Sequence, residues 1–312
     1  MKRRELLQQT ATFSLLATAP FLFRGGDASA ITESATRTSP PNPLTPPAHG
    51  PIPTAFLISE GAAVIDFCGP WEVFQDVRVP GRPDQGFQVY TVAETLDPIQ
   101  VSGGMKITPN YTLQTAPRPK VVVIPAQSGE GQVLVDWIRK SAESADVVMS
   151  VCTGAYLLAN TGLLAGKAAT THHDSYRAFA RRFQDIQLKR GVRFVEEGNL
   201  ATAGGLSSGI DLALRVVERY FGREVAEQTA YYMEYQGQGW MNESSNSVYA
   251  KVGTEKDNSP YCPVCGMDVD PKTADRSDYR GKTYYFCMPT HKQQFDAAPE
   301  KFVKAEAPGG FL

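Results

Sequence analysis

Between Thr54 and Met233 short apolar runs alternate with amphipathic segments, and this alternation limits the chain to few folds. The runs Phe56 to Ile58, Val89 to Val92, Val121 to Ile124, Val147 to Val151 and Leu200 to Ala203 predict strands. Segments such as Val133 to Ala145 and Ser175 to Phe183 predict helices between them. The clearest helix runs from an N-cap at Ser207 or Ser208 through Ile210, Leu214, Val217 and Phe221 and stops at Gly222. Short strands that are apolar throughout must be covered on both faces. The pattern therefore predicts an α/β domain with a mostly parallel sheet between helices. Ligands in such folds bind beyond the carboxyl ends of the strands.

Cys152 falls at one of those ends. In Asp146-Val-Val-Met-Ser-Val-Cys-Thr-Gly-Ala-Tyr-Leu-Leu-Ala159 the apolar strand gives way to a helix, with Gly154 permitting the tight turn. A sulfur on such a turn lies near unpaired helix amides that favour thiolate, so a nucleophile with a depressed pKa is expected. The alternative is a small buried hydrophobe, the commonest use of free cysteine. A second candidate is Asp66, in Ile65-Asp-Phe-Cys-Gly-Pro-Trp-Glu-Val-Phe74. Set among apolar residues before a Gly69-Pro70 turn, a desolvated Asp66 would have a raised pKa and could exchange protons near neutrality. It could equally cap the following helix.

With 312 residues, 42% of them hydrophobic, the chain can build one sizeable core and a small second domain. A net charge of −2 gives no footprint for nucleic acid, so the expected partner is a small molecule. At the N-terminus, Lys2-Arg3-Arg4-Glu5-Leu6-Leu7 resembles a twin-arginine motif, followed by an apolar stretch from Ala11 to Phe23 and the small residues Ala28-Ser29-Ala30. Residues 1–30 are thus expected to act as a signal peptide that exports the chain to the periplasm and is removed there. The alternative, an uncleaved anchor, needs a longer stretch than one interrupted by Pro20, and no stable membrane insertion is expected after processing. Residues 31–53, rich in Pro, Ser and Thr, read as a tether.

The five cysteines fall into two groups. Cys68 and Cys152 lie in the large apolar region, and Cys262, Cys265 and Cys287 lie near the C-terminus. Residues 237–258, rich in Gly, Asn, Ser and charge, read as a linker. Beyond them, Tyr261-Cys-Pro-Val-Cys-Gly-Met267 and Tyr279-Arg-Gly-Lys-Thr-Tyr-Tyr-Phe-Cys287 precede His291. Two thiols two residues apart, a hairpin-like segment and a Cys-x3-His could converge around one ion of zinc or copper type. A Cys262–Cys265 disulfide and a purely structural zinc are the alternatives.

Asp66-Phe-Cys-Gly-Pro-Trp-Glu-Val-Phe74, Ser150-Val-Cys-Thr-Gly154, Gly162-Leu-Leu-Ala-Gly166, Ala169-Thr-Thr-His172 and Gly204-Gly-Leu-Ser-Ser-Gly-Ile-Asp211 resemble the DJ-1/PfpI superfamily. The likeness covers residues 54–236. Within that superfamily the motifs are most similar to the isonitrile hydratase branch and to amidotransferase-like domains of some transcription regulators. The resemblance implies a flavodoxin-like three-layer sandwich, a homodimer and no cofactor in the large domain. It implies that Cys152 is the nucleophile, Asp66 its acidic partner and Thr153 the residue following the nucleophile. Gly69, Ala126, Gln127 and His172 are then expected at the substrate pocket, with a structural histidine at a strand end as the alternative for His172. The chain departs from the family at Pro125-Ala126-Gln127, in place of a Pro-Gly-Gly opposite the cysteine, and at His173, in place of a Trp. Cys68 stands where hydratases often carry Thr, and Thr153 where the protease-like branch has a histidine. Residues 259–304 resemble the YHS domain, which implies a small metal-binding α+β module, although Met288 and His291 depart from the Ser and Cys that often follow its Tyr-Phe-Cys.

The expected activity is addition of water to a carbon–nitrogen multiple bond, giving an N-substituted formamide from an isonitrile. A metabolite- or metal-binding protein without turnover is the main alternative, and a thiol hydrolase or aldehyde detoxifier a third.

Overall fold

In the computed structural model, which describes residues 42–254 and 260–303, the large domain follows the order β1 (Ile52–Leu57), α1 (Val64–Gln75), β2 (Phe87–Ala93), β3 (Ile99–Gln100), β4 (Lys106–Ile107), β5 (Tyr111–Thr112), β6 (Val121–Ile124), α2 (Gln132–Ala142), β7 (Val147–Val151), α3 (Gly154–Asn160), β8 (Ala168–Ala169), α4 (Tyr176–Arg182), β9 (Gln187–Leu188), β10 (Phe194–Glu197), β11 (Leu200–Ala203), α5 (Ser208–Phe221) and α6 (Arg223–Tyr232). Seven strands form one sheet in the order β10-β11-β7-β6-β1-β2-β5. All pairings in it are parallel except the terminal β10–β11 pair. All five predicted strands are present. The antiparallel edge strand β10 lacks a long apolar run, which is why periodicity passes over it.

Alternation along each strand builds the two cores. Phe56, Val121, Val123, Val147, Met149 and Val151 point to one face, where they pack with residues of α1, α5 and α6. Ala55, Leu57, Val122, Ile124 and Val148 point to the other, against residues of α2, α3 and α4. Burying each large side chain contributes about 1.5–3 kcal/mol, so covering both faces is what holds the three layers together. The chain runs outward from β1 to β2 on one side and from β6 to β7 on the other. The topological switch, where open α/β sheets bind ligands, therefore lies at the carboxyl ends of β1 and β6.

Four local expectations change. Gly69-Pro70 is not a turn: α1 runs through it, with Pro70 inside the helix, because Phe67, Val73 and Phe74 continue the buried face. The end of the tether is packed, since Leu44 N–H donates to the Arg219 carbonyl at 2.8 Å and β1 starts at Ile52, before Thr54. The stretch read as a linker from residue 237 is also packed as far as it is described. Trp240 is 3% exposed, its amide donates to Asp211, and Tyr249 stacks on His173 with ring centroids 4.0 Å apart. Ser207 occupies the N-cap position of α5 but makes no side-chain capping bond. The signal-peptide residues 1–30 and the first part of the tether lie outside the described residues.

The C-terminal module consists of the antiparallel hairpin β12 (Asp275–Tyr279) and β13 (Lys282–Phe286), then α7 (Pro289–Ala297). Its core is Cys262, Cys265, Phe286 and Phe295.

Candidate active site and metal centre

Segments that follow the carboxyl ends of β1, β6, β7 and β11 supply the first site. Cys152 immediately follows β7 in the left-handed region, φ +58°, a strained conformation for a residue with a side chain. The elbow is held by its surroundings. Cys152 N–H donates to the Gly204 carbonyl at 2.9 Å, and its own carbonyl accepts from Thr171 Oγ1 at 2.9 Å. Gly154 is required at this turn: a Cβ there would lie 2.7 Å from the Pro125 carbonyl oxygen.

Asp66 sits in the first turn of α1, fully buried. It does not cap that helix. Its Oδ2 accepts from Ala126 N–H at 3.1 Å, while Oδ1 is buried without a regular hydrogen-bond partner. The Cys152 thiol interacts with this carboxyl. Burial raises the Asp66 pKa to about 6 against the lowering effects of the Ala126 amide and the thiol. Burial, followed by the charge of Asp66, pushes the Cys152 thiol up to about 12. The amides of Thr153 and Leu206 act in the opposite direction and do not prevail. The expected depressed thiol pKa is thus corrected, because a cysteine only 9% exposed loses more by desolvation than the start of a short helix returns. The two groups form a coupled pair in which the carboxylate holds the charge and the thiol the proton.

The remaining expected pocket residues divide. Ala126 contributes the amide on Asp66, and Thr153 the amide on the sulfur. Gln127 Oε1 accepts from Ser59 N–H at 2.7 Å, tying together the loops after β1 and β6, and its buried Nε2 is unpaired. Gly69 instead serves a helix crossing: a Cβ there would lie 2.9 Å from Ile210 Cγ1. His172 Nδ1 accepts from Asp174 N–H at 3.3 Å, and its Nε2 lies 2.9 Å from where a Cβ of Gly205 would stand. It therefore caps a 3-10 turn and also packs over the loop that carries the Leu206 amide. Burial lowers its pKa, which favours the neutral ring. Thr171 and Leu206 emerge only in the structure, although both fall in motifs visible in the sequence, Thr-Thr-His and Gly-Gly-Leu. A cavity of about 740 Å³ lies at the other end of the sheet, lined by Ile52, Lys120 and Asp146 among others.

The second site is in the C-terminal module. Cys265 Sγ and Cys287 Sγ are 3.4 Å apart, and His291 Nδ1 is 3.2 Å from Cys287 Sγ and 3.6 Å from Cys262 Sγ. All four ligand atoms lie within 4.8 Å of one another. All five cysteines are free, so no Cys262–Cys265 disulfide is present. A tetrahedral ion with bonds of about 2.0–2.3 Å spaces its ligands about 3.3–3.8 Å apart, so the donor set fits zinc or a soft ion of similar size. Hydrogen bonds with Cys265 and Cys287 pull the Cys262 pKa down, those with Cys262 and Cys287 push that of Cys265 up, and the Cys262 and Cys287 sulfurs raise His291 to about 9.

Residues 54–219 match the DJ-1/PfpI family and residues 262–306 the YHS domain. The chain is 34% identical to an isonitrile hydratase of Pseudomonas putida over 185 residues, which are 58% of this chain and 77% of that protein. It is 24% identical to the HTH-type transcriptional regulator CdhR of Pseudomonas aeruginosa over 56% of this chain, spanning 52% of the regulator. Among solved structures, a THiJ/PfpI family protein from Pseudomonas syringae superposes with a TM-score of 0.54 at 27% identity, over 67% of this chain and 85% of the other. Drosophila melanogaster DJ-1beta superposes at 0.52 and 19% identity over 60% and 99%, a likeness of fold alone. A buried carboxyl beside a thiol on a strained elbow, in a parallel sheet between two helical layers, agrees with these matches: the chain belongs to the DJ-1/PfpI family and carries a C-terminal YHS domain.

Proposed function

We propose that the large domain hydrates isonitriles to N-substituted formamides, with Cys152 as nucleophile and Asp66 as proton carrier. The observation that carries this is the buried Asp66–Cys152 pair sharing one proton at the topological switch. As sulfur bonds to the terminal isonitrile carbon, the thiol proton passes to Asp66 and from there to that carbon, leaving a thioimidate on Cys152. Asp66 then takes a proton from water as the water oxygen adds to the same carbon. The carbon–sulfur bond breaks, nitrogen gains a proton, and the formamide leaves with the thiol restored. The amides of Thr153 and Leu206, which face the sulfur, would stabilise the charge that develops around it. Exposed apolar side chains at Ile65, beside Asp66, and Leu206 suit a small apolar substrate.

A second reading, metabolite binding without turnover, is favoured by Ala126 and Gln127. The Ala126 amide is occupied by Asp66 and is not free for an oxyanion, and Gln127 Oε1 is tied to Ser59, which leaves only its buried Nε2 as a donor. Assaying the purified mature chain against simple isonitriles, aldehydes and peptides separates these readings: formamide release supports hydration, and saturable binding without product supports the second.

The YHS domain is proposed to hold one zinc or copper-type ion through Cys262, Cys265, Cys287 and His291. Elemental analysis of reduced chain checks this, with Cys262→Ser and Cys287→Ser expected to lose the ion. Export through the twin-arginine route and pairing as a homodimer are also proposed. Among the described residues no helix is long and apolar enough to cross a membrane. Replacing Arg3 and Arg4 by lysine should retain the chain in the cytoplasm, and light scattering reads the oligomeric state.

A further inference from the structure

The cysteine knuckle of the YHS domain is clamped onto α4 of the large domain. The Asp268 carboxylate is gripped by two arginines one turn apart: Arg181 at 2.6 Å from Oδ1 and Arg177 at 3.1 Å from Oδ2. Arg181 also donates to the Gly266 carbonyl at 3.3 Å and lies over the Tyr261 ring at 4.5 Å. Gly266, φ +80°, is pressed so closely on the helix that a Cβ would stand 2.6 Å from the Ala178 carbonyl oxygen. Gly266 immediately follows Cys265, and Tyr261 immediately precedes Cys262, so the clamped segment is the ligand loop itself. On its other side α4 joins the elbow. Ser175, preceding α4, accepts from Tyr156 OH of α3 at 3.3 Å, and α3 begins two residues after Cys152.

We infer that ion occupancy of the Cys262–Cys265–Cys287–His291 cluster is coupled to the Cys152 site through this clamp, the loaded knuckle fixing α4 and the elbow packed beside it. The inference rests on the metal reading of the cluster. The ion fixes the backbone of the 262–267 loop because two of its ligands come from it. Without the ion that loop gains freedom, and the Arg177–Asp268–Arg181 grip on a loosened loop is weaker. Any such coupling is reciprocal, so binding of a ligand at Cys152 must change ion affinity by the same factor.

Hydrogen exchange on the reduced full chain tests this, with zinc as probe and its content measured by elemental analysis before and after a chelator. Removal of zinc is expected to raise amide exchange in residues 173–182 about tenfold or more and to speed alkylation of the Cys152 peptide, while α2 stays unchanged. Arg177→Ala with Arg181→Ala is expected to keep one zinc, show the raised exchange already when loaded, and no longer respond to chelation. Unchanged exchange in residues 173–182 with zinc demonstrably removed overturns the coupling and leaves the metal reading standing. An equal rise throughout the chain also overturns it, as general unfolding, and failure to take up zinc overturns both.

Discussion

Replacing Asp66 with asparagine separates its two effects on Cys152. With the thiol pushed up to about 12, the thiolate at pH 8 is about one part in 10⁴. A neighbouring unit charge moves a pKa by about 1–3 units. Asparagine keeps the shape and can still accept from Ala126 N–H, but it removes that charge. Alkylation of Cys152 at pH 8 is therefore expected to rise about 10- to 100-fold in Asp66→Asn, for a fall of about 1–2 units. Turnover should move the other way, falling about 10²- to 10⁴-fold, because asparagine can neither take the thiol proton nor deliver it. Iodoacetamide labelling followed on the Cys152 peptide by mass spectrometry, beside formamide release, measures both. A slower or unchanged alkylation rate in Asp66→Asn refutes the idea that the buried carboxylate holds the proton on sulfur.

The same carboxyl makes stability depend on pH. Asp66 is raised from 3.8 to about 6 on folding, so its full contribution is present below pH 3.8 and is lost as pH rises through 6. The rise of about 2 units is worth about 3 kcal/mol. Denaturant unfolding should show Asp66→Asn more stable than the parent by up to that amount at pH 7 and matching it near pH 4. Gly154→Ala drives a methyl into the Pro125 carbonyl and is expected to cost about 3 kcal/mol or more in thermal unfolding, together with loss of the elbow. Trp240→Ala should cost about 3–5 kcal/mol, whereas a free linker would cost nothing measurable. Thr171→Val removes the bond to the Cys152 carbonyl and leaves that buried group unpaired, at about 1–3 kcal/mol, with turnover falling before the overall fold does.

What the sequence showed depended on how local the cause was. Val121-Val-Val-Ile124 and Val147 to Val151 are β-branched runs whose burial on both faces is written in the residues themselves, so the sheet was legible. The Cys262, Cys265, Cys287 and His291 cluster was legible because Cys262 and Cys265 lie on one loop and Cys287 and His291 are four apart, joined by a hairpin of matching length. Pro70 misled because it reads as a break, whereas the apolar face formed by Phe67, Val73 and Phe74 carries the helix through it. Residues 237–254 misled because their composition is that of a linker while the buried Trp240 and the Tyr249 ring stacked on His173 supply the anchors. The sign of the Cys152 shift depends on burial and on a carboxyl 86 residues away in sequence, which no local pattern reveals. The grip of Arg177 and Arg181 on Asp268 is likewise a long-range contact, made by charges that look like an ordinary solvated helix face.

Incubating the purified chain with a simple alkyl isonitrile, and following formamide by mass spectrometry, tests most directly whether Cys152 and Asp66 form a catalytic pair. Steady release by the parent, with Cys152→Ala lowering it at least about 10²-fold at unchanged thermal stability, is the predicted result. Isonitrile that binds saturably but is returned unchanged, or turnover that survives Cys152→Ala, would contradict it.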